Sequence, residues 1–158
     1  MSDHAAREIL VAGAGALAHS DALEPGLQLL LGSIARQLGA ESAAILIPDA
    51  GRDRLAIAAS FGLPDTAVAG LAAAVGNLGH PIARTFATPA ASFDALPTAP
   101  GGPALRTHLP LVVIRGGSEV VLGVLALAHD HPIDPAMRPV LQAGADLAAV
   151  AIERGRSI

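Results

Sequence analysis

The chain of 158 residues contains no cysteine. Disulfides, thiolate metal sites and cysteine nucleophiles are therefore excluded, and no thiol is present to attach a cofactor. Tryptophan and tyrosine are also absent, and the only aromatic residues are Phe61, Phe86 and Phe93. Without Tyr or Trp platforms for bases to stack on, recognition of single-stranded nucleic acid is disfavoured. Only 15% of residues are charged, the net charge is −4, and the ten Lys and Arg are scattered. No electrostatic footprint for nucleic acid results. No apolar run approaches the ~20 residues of a membrane-spanning helix. The opening "MSDHAAREIL" places Asp3, Arg7 and Glu8 where a secretory signal carries only positive charge. A soluble, cytoplasmic protein with neither nucleic acid nor membrane as partner is expected.

Hydrophobic residues make up 52% of the chain, which argues for a folded core built from Ala, Leu, Val and Ile. The length fits a single domain over 1–158, with an N-terminal helix in 1–20 and a core over 21–154. The stretch "LVVIRGGSEVVLGVLALAHDHP" holds two apolar runs, Leu109–Ile114 and Val120–Ala128. Arg115-Gly116-Gly117-Ser118 between them supplies the positive φ values of a tight primed turn. Neither run alternates with polar residues, so this hairpin is expected to be covered on both faces. A second hairpin is predicted from Ala43–Pro48 and Leu55–Ser60, across the polar turn "DAGRDR".

Helical periodicity is clearest at Leu23, Leu27, Leu30, Leu31, Ile34 and Leu38, with Asp21 and Glu24 as a start signal and Gly39 as a stop. The spacing predicts further helices over Thr66–Val75, over "PIARTFA" from Pro81, and from Asp134-Pro135 to Glu153. "GNLGHP" interrupts the first two of these. A short strand is expected near Ala91–Phe93, and after it an exposed, mobile Pro- and Gly-rich loop reaching Pro103 is expected.

Several motifs suggest chemistry. Gly13-x-Gly15-x-x-Ala18 after Ile9-Leu10-Val11 has the form of a dinucleotide fingerprint. That reading needs a strand before the glycines and an acidic residue closing a second strand, whereas Glu41 precedes its strand. The competing reading is a small-residue face on a helix over Ala5–His19, with Ile9, Leu10, Gly13, Ala16 and Leu17 on one side. His129 and His131 share one side of an extended segment, but no third metal ligand is marked. They are expected to face solvent, and no metal site is expected. No serine sits in a nucleophile elbow, and the carboxylates suffice as caps and turn residues. No catalytic residue is expected.

The order of elements, with "LLLGSIARQLGAESAAILIPDAGRDRLAIAASFGLP", "LRTHLPLVVIRGGSEVVLGVLALAHDHPIDP" and "VLQAGADLAAVAIE", resembles a GAF domain from about Leu23 to Ile152. The family's hairpin reads roughly S-x-L-x-V-P-L, then G-x-x-x-G-V-L-x-L. Here Thr107 replaces the Ser, Leu109-Pro110-Leu111-Val112-Val113 replaces the first run, and Gly123-Val124-Leu125-Ala126-Leu127 matches the second. The resemblance implies an α+β fold, with a central antiparallel β-sheet and the N- and C-terminal helices on one face. Short helices and loops would form a ligand pocket on the other. It implies a non-catalytic sensory or regulatory module that binds a small molecule, dimerises, or both. Bilin attachment and the free methionine sulfoxide reductase activity of some members both use cysteines, which this chain lacks. Nothing matches the N-K-x-F-D-E run of cyclic-nucleotide-binding members.

The residues expected at the pocket are Phe61, His80, Phe86, Phe93, Arg106 and His108, the chain's aromatics with the polar groups best able to orient a ligand. The ligand, and any cofactor, is left unidentified. One alternative is a haem-linked sensor using His80 or His108 as axial ligand. Another is a degenerate fold kept only for dimerisation. A homodimer through the terminal helices is expected from the small residues Gly13, Gly15, Ala16, Gly144, Ala148 and Ala151. Ala143, Ala145, Ala149 and Val150 lie off the last helix's apolar stripe.

Overall fold

The computed structural model describes residues 3–18, 23–48, 55–74, 80–96 and 105–156. His19, the start signal at Asp21, the turn over 49–54, the glycine-rich break over 76–79 and the loop over 97–103 lie outside the described residues.

Two helices come first, α1 (Asp3–Ala18) and α2 (Leu23–Leu38), followed by strands β1 (Ser42–Pro48) and β2 (Leu55–Phe61). Helix α2 stops at Gly39, which adopts φ +68°, while the Ala40 N–H reaches back to the Ala35 carbonyl at 2.9 Å. This is the left-handed termination expected of glycine at that position. Helices α3 (Asp65–Ala74) and α4 (Pro81–Ala87) lead to β3 (Ser92–Ala95), β4 (Leu105–Arg115), β5 (Ser118–His129) and α5 (Arg138–Arg156). The sheet is antiparallel throughout, in the order β2-β1-β5-β4-β3.

The β4–β5 hairpin closes at Arg115↔Ser118 on Gly116 and Gly117, with φ of +55° and +82°. Both are positive, as a type I′ turn requires. The two strands are longer than the expected Leu109–Ile114 and Val120–Ala128, because the ladder continues to Leu105↔His129. The added pairs include Arg106, Thr107 and His108, polar residues that an apolar run does not mark.

Side chains alternate across the sheet, and the two faces pack against different helices. Ile45, Leu109, Leu111, Leu125 and Leu127 join Leu27, Leu30, Leu31 and Ile34 of α2 and Leu141, Ala145 and Ile152 of α5 in one core. Helix α1 enters the same core through Ala5 and Ile9, with Ala12 packed against it. Ala44, Leu46, Leu55 and Val124 point the other way and meet Ile82 of α4, with Leu71 of α3 packed alongside. Helices α2 and α5 therefore cover one face, with α1 packed against both of them, and the two short helices cover the other.

Ile9–Val11 lie within α1, as the helix reading of that segment expected, which removes the dinucleotide alternative. Two expectations are corrected. Leu10 is 43% exposed and not on the buried face, because that face follows Ala5, Ile9 and Ala12 and the next residue sits about 100° round the helix. Ala145 and Ala149 of α5, expected off the stripe, are fully buried. Helix α5 contacts the sheet, α1 and α2 at once, so its buried arc is wider than one stripe. A Cβ on Gly144 would stand 3.1 Å from Ile9 and 3.3 Å from Ile34. The small residues of α5 thus serve close helix approach within the chain. The surroundings of Gly13, Gly15 and Ala16 lie outside the described residues.

The expected N-cap at Asp134 is present, with its Oδ1 accepting the Ala136 N–H at 2.9 Å. It caps a 3-10 turn over Pro135–Met137 that precedes α5, so the helix starts later than expected.

Gly123 sits where the β4–β5 register shifts, and a Cβ there would lie 2.3 Å from the Leu46 carbonyl oxygen of β1. Backbone cannot yield as a flexible side chain does. Gly123→Ala is therefore expected to destabilise the protein by at least about 2 kcal/mol, read by urea denaturation. Gly70→Ala on α3, with no atom near its Cβ position, should be neutral or mildly stabilising.

Candidate functional site

The face of the sheet under α3 and α4 is built in cross-strand rows. One row runs Ser60, Ala44, Ala126, His108, Ser92, and the next runs Ser42, Ala128, Arg106, Ala95. Every member other than His108 and Arg106 is small. The neighbouring row, Ile57, Leu46, Val124, Pro110, is bulky and fills the space beneath the short helices. Where the rows turn small, a cavity of about 970 Å³ opens between sheet and helices. This lies within the range of small-molecule pockets. Leu63, Leu71 and Leu96 contribute apolar walls, and His80, Arg84 and Thr85 contribute polar groups from α4.

Helix α4 is fixed by its own ends. Pro81 occupies its first turn, and the His80 Nδ1 caps it by accepting the Ile82 N–H at 3.2 Å. That bond assigns the ring proton to Nε2. The Thr85 hydroxyl donates to the Pro81 carbonyl at 2.9 Å, which leaves its oxygen lone pairs as acceptors. Burial, and secondarily the charge of Arg84, hold the His80 pKa below its ordinary value.

His108 is only 5% exposed, yet among the described residues neither ring nitrogen has a hydrogen-bond partner. Burial lowers its pKa to about 4, with smaller effects from His80 and Arg106. The ring is neutral at physiological pH and faces the cavity. At the rim, the Arg106 charge acts on Glu41, whose own pKa is raised chiefly by a hydrogen bond with Asp130.

Of the expected pocket residues, the structure brings His80, Arg106 and His108 to the cavity. Phe61 and Phe93 belong to the other face. Phe61 pairs with Ala43, whose side chain enters the large core, and Phe93 follows Ser92, which pairs with His108 on the cavity side. A shift of one residue along a strand reverses the face. Phe86 packs into the smaller apolar cluster rather than lining the cavity. Sequence reasoning missed Arg84, Thr85, Ser42 and Ser92. The signal was present in "VLALA", where Leu125 and Leu127 alternate with Ala126 and Ala128.

His129 is also corrected. It is 3% exposed rather than solvent-facing. Its Nδ1–H donates to the His131 carbonyl at 2.7 Å, and its Nε2 accepts the Thr107 hydroxyl at 2.8 Å. Thr107 in turn accepts the Asp94 N–H at 3.2 Å. Both ring nitrogens are engaged. His131 is exposed, as expected. No group of three or more His, Asp or Glu side chains with metal-binding geometry occurs among the described residues.

A family model described as GAF domain matches residues 24–154. No curated protein matches the chain. Among solved structures, the GAF domain of a phosphoenolpyruvate-protein phosphotransferase from Coxiella burnetii is 19% identical, with a TM-score of 0.74, covering 99% of this chain and 98% of that one. Free methionine-R-sulfoxide reductase from Neisseria meningitidis, in complex with its substrate, is 17% identical, with a TM-score of 0.70 and coverage of 99% and 95%. The GAF domain of a putative sensor histidine kinase from Pseudomonas syringae pv. tomato is 21% identical, with a TM-score of 0.67 and coverage of 98% and 91%. At these identities the likeness is one of fold.

The lowered His108 pKa has a stability consequence with a definite sign. A neutral folded ring contributes stability that is intact above the unfolded pKa of about 6.5 and is lost as pH falls through about 4. Urea denaturation at about pH 7 and about pH 5 should show the wild type losing about 2 kcal/mol more than His108→Leu. At the higher pH the variant should be at least as stable as the wild type, because it removes a buried polar group without a partner.

Proposed function

Because the chain belongs to the GAF domain family, we propose that it is a sensory or regulatory module, without catalytic activity of its own, that binds a small molecule between its sheet and α3 and α4. The observation that carries this reading is His108. A buried polar group lacking a partner costs about 1–3 kcal/mol, and this one faces a cavity rather than packed side chains. A ligand that hydrogen-bonds the imidazole offsets that cost. Native mass spectrometry of the purified protein is expected to show a retained small molecule, or a screen of metabolites by thermal shift to raise the Tm. Either response should be lost in His108→Leu. Failure of both measurements overturns the reading.

The haem alternative rests on His108 alone. His80 caps α4 through Nδ1, which places the proton on Nε2 and leaves no lone pair for iron in this arrangement. His108 is neutral and retains a lone pair. Added haem should then give a Soret band that His108→Leu abolishes, and a protein that takes up no haem retires this branch.

Dimerisation remains part of the proposal, through a smaller surface than α5's alanines suggested. Leu10 and Val11 on α1 are 43% and 62% exposed, and Val150 on α5 is 39% exposed. Sedimentation equilibrium at about 100 μM, well above the Kd of a micromolar dimer, is expected to give twice the chain mass. Val11→Glu should lower it, and a monomer at that concentration removes the dimer.

A further inference from the structure

The cavity differs from the rest of the chain in charge. The protein has 14 Asp and Glu against ten Lys and Arg, yet among the described residues no carboxylate lines the cavity while Arg84 and Arg106 both do. The bias is written into the sequence. No Asp or Glu occurs from Thr66 to Phe93 or from Ala95 to Ser118, stretches that hold α4 and β4 with His80, Arg84, Arg106 and His108. Asp94, between the two stretches, is turned to the opposite face, where it accepts the Ile133 N–H at 2.9 Å and pairs with Arg138 at 3.3 Å. Glu41 and Asp130 stand beside Arg106 without lining the cavity.

The hydrogen-bonding inventory has the same bias. A guanidinium only donates. His80, with Nδ1 occupied by the helix cap, offers Nε2–H. His108, buried and without a hydrogen-bond partner among the described residues, presents one donor and one lone pair. The hydroxyls of Ser42, Thr85, Thr88 and Ser92 also line the cavity, with the Thr85 oxygen left as an acceptor, and the rest of the described lining is small and aliphatic. A ligand complementary to this surface carries acceptors and negative charge at one end and a compact apolar body at the other.

From these observations we infer that the ligand is a small organic acid, whose carboxylate meets His108 with Arg84 and Arg106 at the rim and whose apolar body fills the space over Ala44, Ala126 and Leu71. This inference rests on the reading of the cavity as a ligand site and specifies its chemistry. A single buried donor matches a monoanionic carboxylate better than a phosphate dianion, which calls for a denser cradle of donors.

The test compares hexanoate, phenylacetate and indole-3-acetate with their primary amides, and phenylacetate with phenyl phosphate, by calorimetry and thermal shift on the full chain. The acids are expected to bind at least tenfold more tightly than the amides. Binding should weaken with added salt and fall at least tenfold in His108→Leu and in the double variant Arg84→Gln with Arg106→Gln. Both variants are first checked for a wild-type unfolding transition. Amides binding as well as the acids overturn the inference while leaving the ligand site in place. Phenyl phosphate binding more tightly than phenylacetate overturns the carboxylate assignment. No binding by any acid also overturns it, and the sensory reading is then decided separately by the retained-molecule measurement.

Discussion

The whole arrangement depends on a difference in side-chain size between the two faces of one sheet. The two-residue period of a strand lets β5 direct Leu125 and Leu127 to one side and Ala126 and Ala128 to the other. β1 does the same with Ile45 against Ala44. On the bulky side, fully buried Leu and Ile from β1, β4 and β5 interlock with α2 and α5, against which α1 packs in turn. Each such side chain contributes roughly 1.5–3 kcal/mol on burial. That face holds the fold together. The opposite face is relieved of this task and can be left underfilled, with helix contact only where Leu46, Val124 and Ile57 are large enough to reach it. The cavity is thus a consequence of how the stabilising side chains are distributed.

Much of this was legible in sequence terms. Leu27, Leu30, Leu31 and Ile34 mark α2 at helical spacing and are fully buried. The paired glycines at 116 and 117 define the hairpin, and Pro81 with Asp134 marks two helix starts. What escaped was the side on which residues fall. Apolar runs in β4 and β5 show burial on both faces, but composition does not separate a packed face from a hollow one. Phe61 and Phe93 were grouped with His108 because aromatics suit pockets, while their strand registers place them with Ala43 and away from Ser92. The burial of His129 was hidden because its partners, Thr107 and the His131 carbonyl, are supplied by the ladder and the exit loop.

β3 joins the two sides of the molecule. It is an edge strand paired with β4 alone, so its position is set by what it touches on each face. Towards the cavity it presents Ser92 and Ala95. Towards the long helices it presents Phe93, which lies 4.7 Å beneath the Arg138 guanidinium, a cation–π contact at the start of α5. Asp94, at φ +56°, is held in the left-handed region by bonds to Thr107, Ile133 and Arg138. Asp is among the few residues that enter this region readily. The register shift between Ser92 and Ala95 accommodates this turn. One four-residue strand is therefore shared by the cavity wall and the seat of the last helix.

His108 and His129 show how the same degree of burial produces two different outcomes. Both are about 95% buried or more, His108 on the cavity face of β4 and His129 on the opposite face at the end of β5. His129 has each nitrogen matched, one donating and one accepting, within a chain of bonds linking β3, β4 and the exit loop. A fully satisfied buried network rigidifies the structure around it. His108 has no such partners among the described residues, and burial accordingly drives its proton off down to about pH 4. An apolar residue of similar size would fill the same place on β4 at no such cost. The fold does not require an imidazole over a cavity floored with alanine, and this is the ground on which a ligand is proposed there.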